Sequence, residues 1–367
     1  MTPEIRKDRP YVTVAADGSG QFRTISEGIK YLQNGTVIQV RSGVYRENLE
    51  ISSDVEIVGE GDRSLIILEA ESDQPAVSLL SGRLKLENMT IKASIQQRSC
   101  VFLNGGTSVL NDCDLSGGGL EIVRVNNCYV EIARCHIHHG TTEGMTFRGR
   151  SSGIIESCDF YYNHGDGFYS EASANPTLLH CKLYANRNAG ASCFGESMVI
   201  FEDCEMRENV IGIYTSQESR PTLRRVQLYD NLRGGALFVG DSSPALENCE
   251  IYRNALHGVS CGEKSKPVLR HCIIHHNQLN GVNCSGESKA ILEGCEMREN
   301  ILYGFCCYET SSPILRGCSI QRNKDAGFVC LGESKAFLEG CIITENLKSN
   351  YLKDKTANPT LVKCIVG

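Results

Sequence analysis

Two carboxylates held in different protonation states can hydrolyse esters or glycosidic bonds, so Asp and Glu are the first residues to consider for chemistry. Asp112, Asp114 and Glu121 fall on a glycine-rich stretch, Glu143 follows, and Asp159, His164 and Asp166 come soon after. Of these, Asp112, Asp114, Glu143 and Asp166 are the catalytic candidates. Gly117-Gly118-Gly119, set among them, suits either a plain turn or a ligand lying close to the backbone. The nineteen cysteines are the other reactive group. They form no Cys-x-x-Cys pair and no Cys/His cluster at zinc spacing, so neither a metal nor any other cofactor is expected.

The cysteines instead keep time. Cys135, Cys158, Cys181, Cys204, Cys249, Cys272, Cys295, Cys318, Cys341 and Cys364 share one slot of a 23-residue repeat, which Val226 fills once. Cys193, Cys261, Cys284, Cys307 and Cys330 mark a second column. A fixed period in the twenties means stacked coils. Apolar side chains alternate over short runs, which is the signature of strands. Three short strands per coil, bent at Glu293-Gly294, at Asn300 and near Gly286, predict an all-β, right-handed parallel β-helix solenoid of about a dozen coils. Both columns then point inward, where free thiols pack as small polarizable hydrophobes. Adjacent thiols favour a reducing compartment, hence the cytoplasm. The asparagines from Asn163 to Asn346 recur at the same step, as an amide ladder at a sharp bend.

The register also assigns outward rows. Three residues after each ladder cysteine come His138, Tyr161, Tyr184, Arg207, Tyr229, Tyr252, His275, Arg298 and Gln321. Tyr161, Tyr184, Arg207, Tyr229, Tyr252, His275 and Arg298 are the binding candidates, because exposed Tyr and Arg favour partner surfaces; alternatively the rings stack on one another along the ladder. Glu202, Arg224, Glu247, Arg270, Glu293, Arg316 and Glu339 alternate in sign, a 46-residue double repeat that would penalise a slip by one coil.

The chain of 367 residues has a net charge of −7, which disfavours a nucleic-acid partner, and has no apolar run that suits a membrane span. Met1-Thr2-Pro3-Glu4-Ile5-Arg6-Lys7 is polar, without a signal-peptide apolar region. Residues 1–35 read as an amino-terminal cap: strand Tyr11–Val14, then a short helix at Thr24–Leu32, with Thr24 and Glu27 at capping-box spacing and Ile25, Ile29 and Leu32 on one face. Residues 36–367 then form one elongated domain. The final coil, at Lys363–Gly367, needs cover from Leu347–Lys355, from a further domain or from an end-to-end contact.

Asp17-Gly18-Ser19-Gly20-Gln21-Phe22-Arg23-Thr24-Ile25, with Gly43-x-Tyr45-x-Glu47 and Val58-Gly59-x-Gly61, resembles the amino-terminal portion of the pectin methylesterases. From about Cys135 the repeats resemble β-helix proteins of the carbohydrate-binding and sugar-hydrolase type. The first resemblance implies a pectin lyase-like right-handed β-helix whose activity rests on two aspartates, glutamines and an arginine. The corresponding rungs here read Gly117-Gly118-Gly119-Leu120 and Thr141–Gly149, so glycine replaces the first carboxylate and Glu143 lies one residue from the second. No Gly-Arg-Pro-Trp segment occurs, and no catalytic residue carries over. The resulting expectation is a non-catalytic scaffold binding a protein or polysaccharide partner along the Tyr/His/Arg row. The alternative is a polysaccharide-active enzyme, pectin esterase- or lyase-like, with a divergent site near Asp112–Glu143.

Overall fold

The computed structural model describes residues 10–32, 36–94 and 98–367. The polar start at Met1–Lys7 lies outside the described residues. The chain divides into two compact units, Met1–Tyr169 with Asn175–Thr177, and Ser170–Ala174 with Leu178–Gly367. Every strand pairs in parallel with the equivalent strand one coil away, which makes the fold a right-handed parallel β-helix. Over both units there are about fifteen coils, more than the dozen expected. The early coils escaped notice because their spacing is uneven, with Val37 opposite Glu56 but Val55 opposite Leu84.

In the first unit, Tyr11–Val14 pairs with Val37–Val40, and the cap helix occupies Ile25–Lys30, two residues shorter than expected at its carboxyl end. Its capping box is present, with Thr24 Oγ1 accepting from Glu27 N at 3.2 Å. Gly28, rather than Ile29, completes the buried face; a Cβ there would sit 3.1 Å from Val14 Cγ2. A further clamp comes from the second coil. The Glu47 carboxylate is 8% exposed and accepts from Ile25 N at 2.7 Å and Ser26 N at 2.8 Å, satisfying two free amides of the first helical turn. Glu47→Ala strips both bonds from a buried site and is expected to cost about 2–3 kcal/mol by urea unfolding.

In the second unit one coil runs Ile291–Glu293, Glu296–Arg298 and Phe305–Cys307 before returning at Ile314–Arg316. Leu292, Met297 and Cys307 sit under Leu315, Ile320 and Cys330, all inward. Each coil turns three left-handed corners, here at Gly294, Glu299 and Glu309, with φ between 56° and 59°. The bends fall where the sequence placed them, but the asparagines do not make them. The residue before each asparagine takes the left-handed conformation, as Arg253, His276 and Glu299 do. The asparagine that follows is buried and spends its side chain on its neighbours: Asn277 Oδ1 accepts from Asn254 N at 3.1 Å and Asn254 Nδ2 at 2.9 Å.

All nineteen cysteines are free, and every one but the half-buried Cys364 is buried. Cys261, Cys284, Cys307 and Cys330 lie one above the next. Outside, Arg270 reaches Glu293 at 2.9 Å and Arg224 reaches Glu247 at 3.2 Å, as the alternating row requires. The same two-coil step governs the third corner. Glu263 and Glu309 each cap a glycine amide one coil back, Gly240 N at 2.9 Å and Gly286 N at 2.6 Å. Gly286 has φ 62°, and a Cβ on it would meet Glu263 N at 2.8 Å, so the coil whose amide is capped takes glycine.

Candidate functional site

Four strands of one sheet in the first unit, Thr90–Ala93, Asp114–Gly117, His136–His138 and Asp159–Tyr161, bring the chemistry together. Their register sets Thr90, Asp114, His136 and Asp159 in one row and Lys92, Ser116, His138 and Tyr161 in the next. Both rows are outward, since Ile91, Leu115, Ile137 and Phe160 between them are buried. Side chains of neighbouring rows and coils meet diagonally. His138 Nε2 thereby lies 3.0 Å from Asp114 Oδ1 and His136 Nδ1 3.8 Å from Asp114 Oδ2.

His139 occupies the left-handed corner that follows, with φ 60°, and the bend turns its ring back against its neighbour. The two Nδ1 atoms of His138 and His139 are 2.6 Å apart, the distance of a strong hydrogen bond. Tyr161 stacks on His138 with centroids 4.7 Å apart and planes at 15°, and Tyr162 leans on His139 at 5.5 Å. Arg63 arrives from the one-turn helix Arg63–Leu65, whose carbonyl is tied down by Thr90 Oγ1 at 2.9 Å. Its Nη2 lies 3.4 Å from both ring nitrogens of His136.

Burial acts to raise the Asp114 carboxyl, but the hydrogen bond and charge of His138, with Arg63 and His136 beyond, outweigh it and hold the group below its usual range. Burial and then the neighbouring His138 push His139 down, against the pull of Asp114. An ionised carboxylate behind a hydrogen-bonded imidazole pair, with an arginine nearby, is equipped to remove a proton.

The other catalytic candidates do not join this cluster. Asp112 is taken by Arg134 at 2.8 Å and 2.9 Å. Glu143 sits on the turn before Met145–Arg148, next in sequence to Thr142, whose hydroxyl, like that of Thr146, is buried without a hydrogen-bond partner among the described residues. Asp166 is 4% exposed. Glu121 is bonded to Arg124 and to Ser99. Sequence reasoning placed Asp114 among the carboxylates and His138 and Tyr161 in the outward row without joining them, and it missed Arg63, His136 and His139. The joining signal was available, because Asp114 and Ser116 share a strand and Ser116 lies one coil from His138.

In the second unit the binding candidates do lie on the outer face, but they spend their ring faces on each other. Tyr229 stacks on Tyr252 at 4.9 Å and 6°, Tyr252 on His275 at 5.1 Å and 1°, and Arg207 covers Tyr184 at 4.5 Å. Arg298 is tied to Glu296 and Glu299, each at 2.8 Å. A sugar ring or peptide would find edges there, not open faces.

The chain matches the profile described as "Pectinesterase" over residues 11–82, and the profile "Right handed beta helix region" over 76–220, 180–289 and 211–366. A probable pectinesterase/pectinesterase inhibitor 33 of Arabidopsis thaliana is 35% identical over 82 residues, covering 20% of this chain and 14% of that protein. The pectinesterase/pectinesterase inhibitor U1 of Solanum lycopersicum is 27% identical over 171 residues, 41% of this chain and 29% of that protein. The chain thus spans well under a third of the length of either relative. The crystal structure of the periplasmic alginate epimerase AlgG superposes with a TM-score of 0.54 over 97% of this chain and 83% of that one, at 12% identity, a likeness of fold. These matches correct the expectation of a non-catalytic scaffold: the relatives are named for an enzymatic activity, and the row that was to carry partner binding is closed by its own stacking. With the β-helix profile matched across residues 76–366, the chain belongs to the right-handed β-helix family.

Proposed function

We propose that this protein is a polysaccharide-active enzyme of the pectin esterase- or lyase-like kind, working on uronate-containing chains with a site of its own at Asp114, His138 and His139. The observation that carries the reading is the carboxylate–imidazole–imidazole chain with Arg63 and His136 beside it. A uronate carries an acidic hydrogen next to its carboxyl group, and a cation at that carboxyl stabilises the charge that forms when the hydrogen leaves. Arg63 supplies the cation and the imidazole pair the base. The base takes the hydrogen from C5, the C5 electron pair forms the C4=C5 double bond, the C4–O glycosidic bond breaks, and the departing oxygen takes a proton from water.

The pectinesterase match over residues 11–82 favours a second reading, in which the same base draws a proton from water as it attacks a methyl ester. Incubating the full chain with polygalacturonate, alginate and methyl-esterified pectin separates the two. Unsaturated uronate ends mark elimination, and released methanol marks ester hydrolysis. If none of the three polymers is altered, the proposal is wrong.

A further inference from the structure

The cluster in the first unit has a near-copy in the second. On strands Glu250–Tyr252 and Ile273–His275, His275 Nε2 meets Glu250 Oε1 at 3.0 Å, and the Nδ1 atoms of His275 and His276 are 2.7 Å apart. His276 takes the same left-handed corner as His139, with φ 55°. The copies differ at the far end. His276 Nε2 is held by Glu299 Oε2 at 3.3 Å, a carboxylate also paired with Arg298. His139 is exposed, and its Nε2 has no hydrogen-bond partner among the described residues.

Counting protons turns this difference into chemistry. A neutral imidazole carries one N–H, so two rings carry two. In the first unit the contacts need two: His138 Nε2–H donates to Asp114, and His139 Nδ1–H donates to His138 Nδ1. That fixes both tautomers and leaves the lone pair of His139 Nε2 facing solvent. In the second unit the contacts need three protons: one toward Glu250, one between the rings and one toward Glu299. With Glu250 facing Nε2 of one ring, Glu299 facing Nε2 of the other and the two Nδ1 atoms facing each other, the His275–His276 pair leaves no ring nitrogen turned to solvent.

We infer that His139, acting through its Nε2, is the base of the first-unit site, that Asp114 and His138 are positioning residues that set its tautomer, and that the second-unit chain is blocked by Glu299. The base assignment deepens the proposed function and rests on it for the substrate, but the state of the ring does not. The groups facing His139 are His138, Tyr161, Tyr162 and, through the field, Asp114 and His164.

Diethylpyrocarbonate, which at a histidine acylates only a ring nitrogen with a free lone pair, reads the difference without any substrate. Peptide mapping after brief treatment of the full chain at pH 7 should find His139 modified several-fold faster than His276, whose Nε2 faces the Glu299 carboxylate. Asp114→Asn should slow labelling at His139 several-fold, because the tautomer is no longer pinned, in a protein whose far-ultraviolet circular dichroism shows it folded. Glu299→Gln should speed labelling at His276. Equal rates at the two histidines, or an Asp114→Asn rate that is unchanged, would overturn the inference. Fast labelling of His139 in a protein inactive on every polyuronate would remove the proposed substrate and leave the base assignment standing. Turnover unaffected by His139→Gln would remove the base and leave the substrate.

Discussion

Leucine in place of Asn277 should lower the unfolding free energy by about 4 kcal/mol, the largest stability loss expected from any single substitution on the ladder face. The size follows from what the amide holds together. Asn277 Oδ1 is the shared acceptor for two donors of Asn254, and its Nδ2 donates to Ile251 O at 3.2 Å, to His275 O at 3.2 Å and to Asn300 Oδ1 at 3.0 Å. The residue is 0% exposed, so no water replaces the lost partners. The buried donor Asn254 N would be orphaned, Asn254 Nδ2 would lose one of its two acceptors, and Ile251 O, His275 O and Asn300 Oδ1 would each lose a donor, at about 1–3 kcal/mol for each group left unsatisfied; leucine has no means of relieving them. Urea denaturation checks the value. Arg316→Ala, on the alternating charge row, is the comparison: its partners lie at 3.5 Å on a half-exposed surface, and the loss there should stay below about 1 kcal/mol. A leucine variant as stable as the alanine variant would mean that the ladder is decoration.

Asp114→Asn should reduce turnover on a responsive polyuronate by about 10²–10⁴-fold, the range a misoriented imidazole base costs, in a protein that remains folded. The amide keeps the shape of the carboxylate but not its charge, and it can turn either its Oδ1 acceptor or its Nδ2 donor to His138, so the tautomer is no longer fixed and the partner for any positive charge that develops is lost. The pH dependence has a definite sign. His139 sits below its ordinary value of 6.5 through burial and the charge of His138, so the base is already in its working form at that pH, and the acid limb of the rate profile should fall below it. Asp114 also sits below its ordinary 3.8. Its contribution to stability is therefore fully present above the unfolded value and is lost only as pH falls through the lower folded one. A rate profile with its acid limb above 6.5 would contradict this account.

The fold was legible because a solenoid writes its geometry into a period. Once Cys295 and Cys318 define the step, burial of Met297 and Ile320 and the outward direction of Arg298 and Gln321 follow from strand alternation; the first two are buried and the second two half-buried on the outer face. The cap was legible through Thr24 and Glu27, which make a local motif. Glu47 was not, because its partners lie more than twenty residues away and nothing in the residues between announces the contact. The candidate site failed to emerge for a related reason. It is diagonal, drawing Asp114 from one row and His138 from the next, whereas reading along columns keeps rows apart. Arg63 comes from an early coil of irregular length, where no cysteine marks the register. The second-unit row was placed on the correct face, but exposure was overestimated: rings stacked one coil apart cover each other, as the near-parallel Tyr252 and His275 do.

The two-coil alternation of the second unit constrains how such a chain can change length. From Glu202 to Glu339 Arg and Glu exchange places at every coil, and the glycine corners at Gly240, Gly286 and Gly332 are each capped by the acidic corner of the coil that follows. Excising a single coil would juxtapose like charges and strand a bare glycine amide; excising a pair would restore both patterns. Recombination within the gene should therefore be tolerated in steps of 46 codons and selected against in steps of 23, so engineered shortening should begin with a pair.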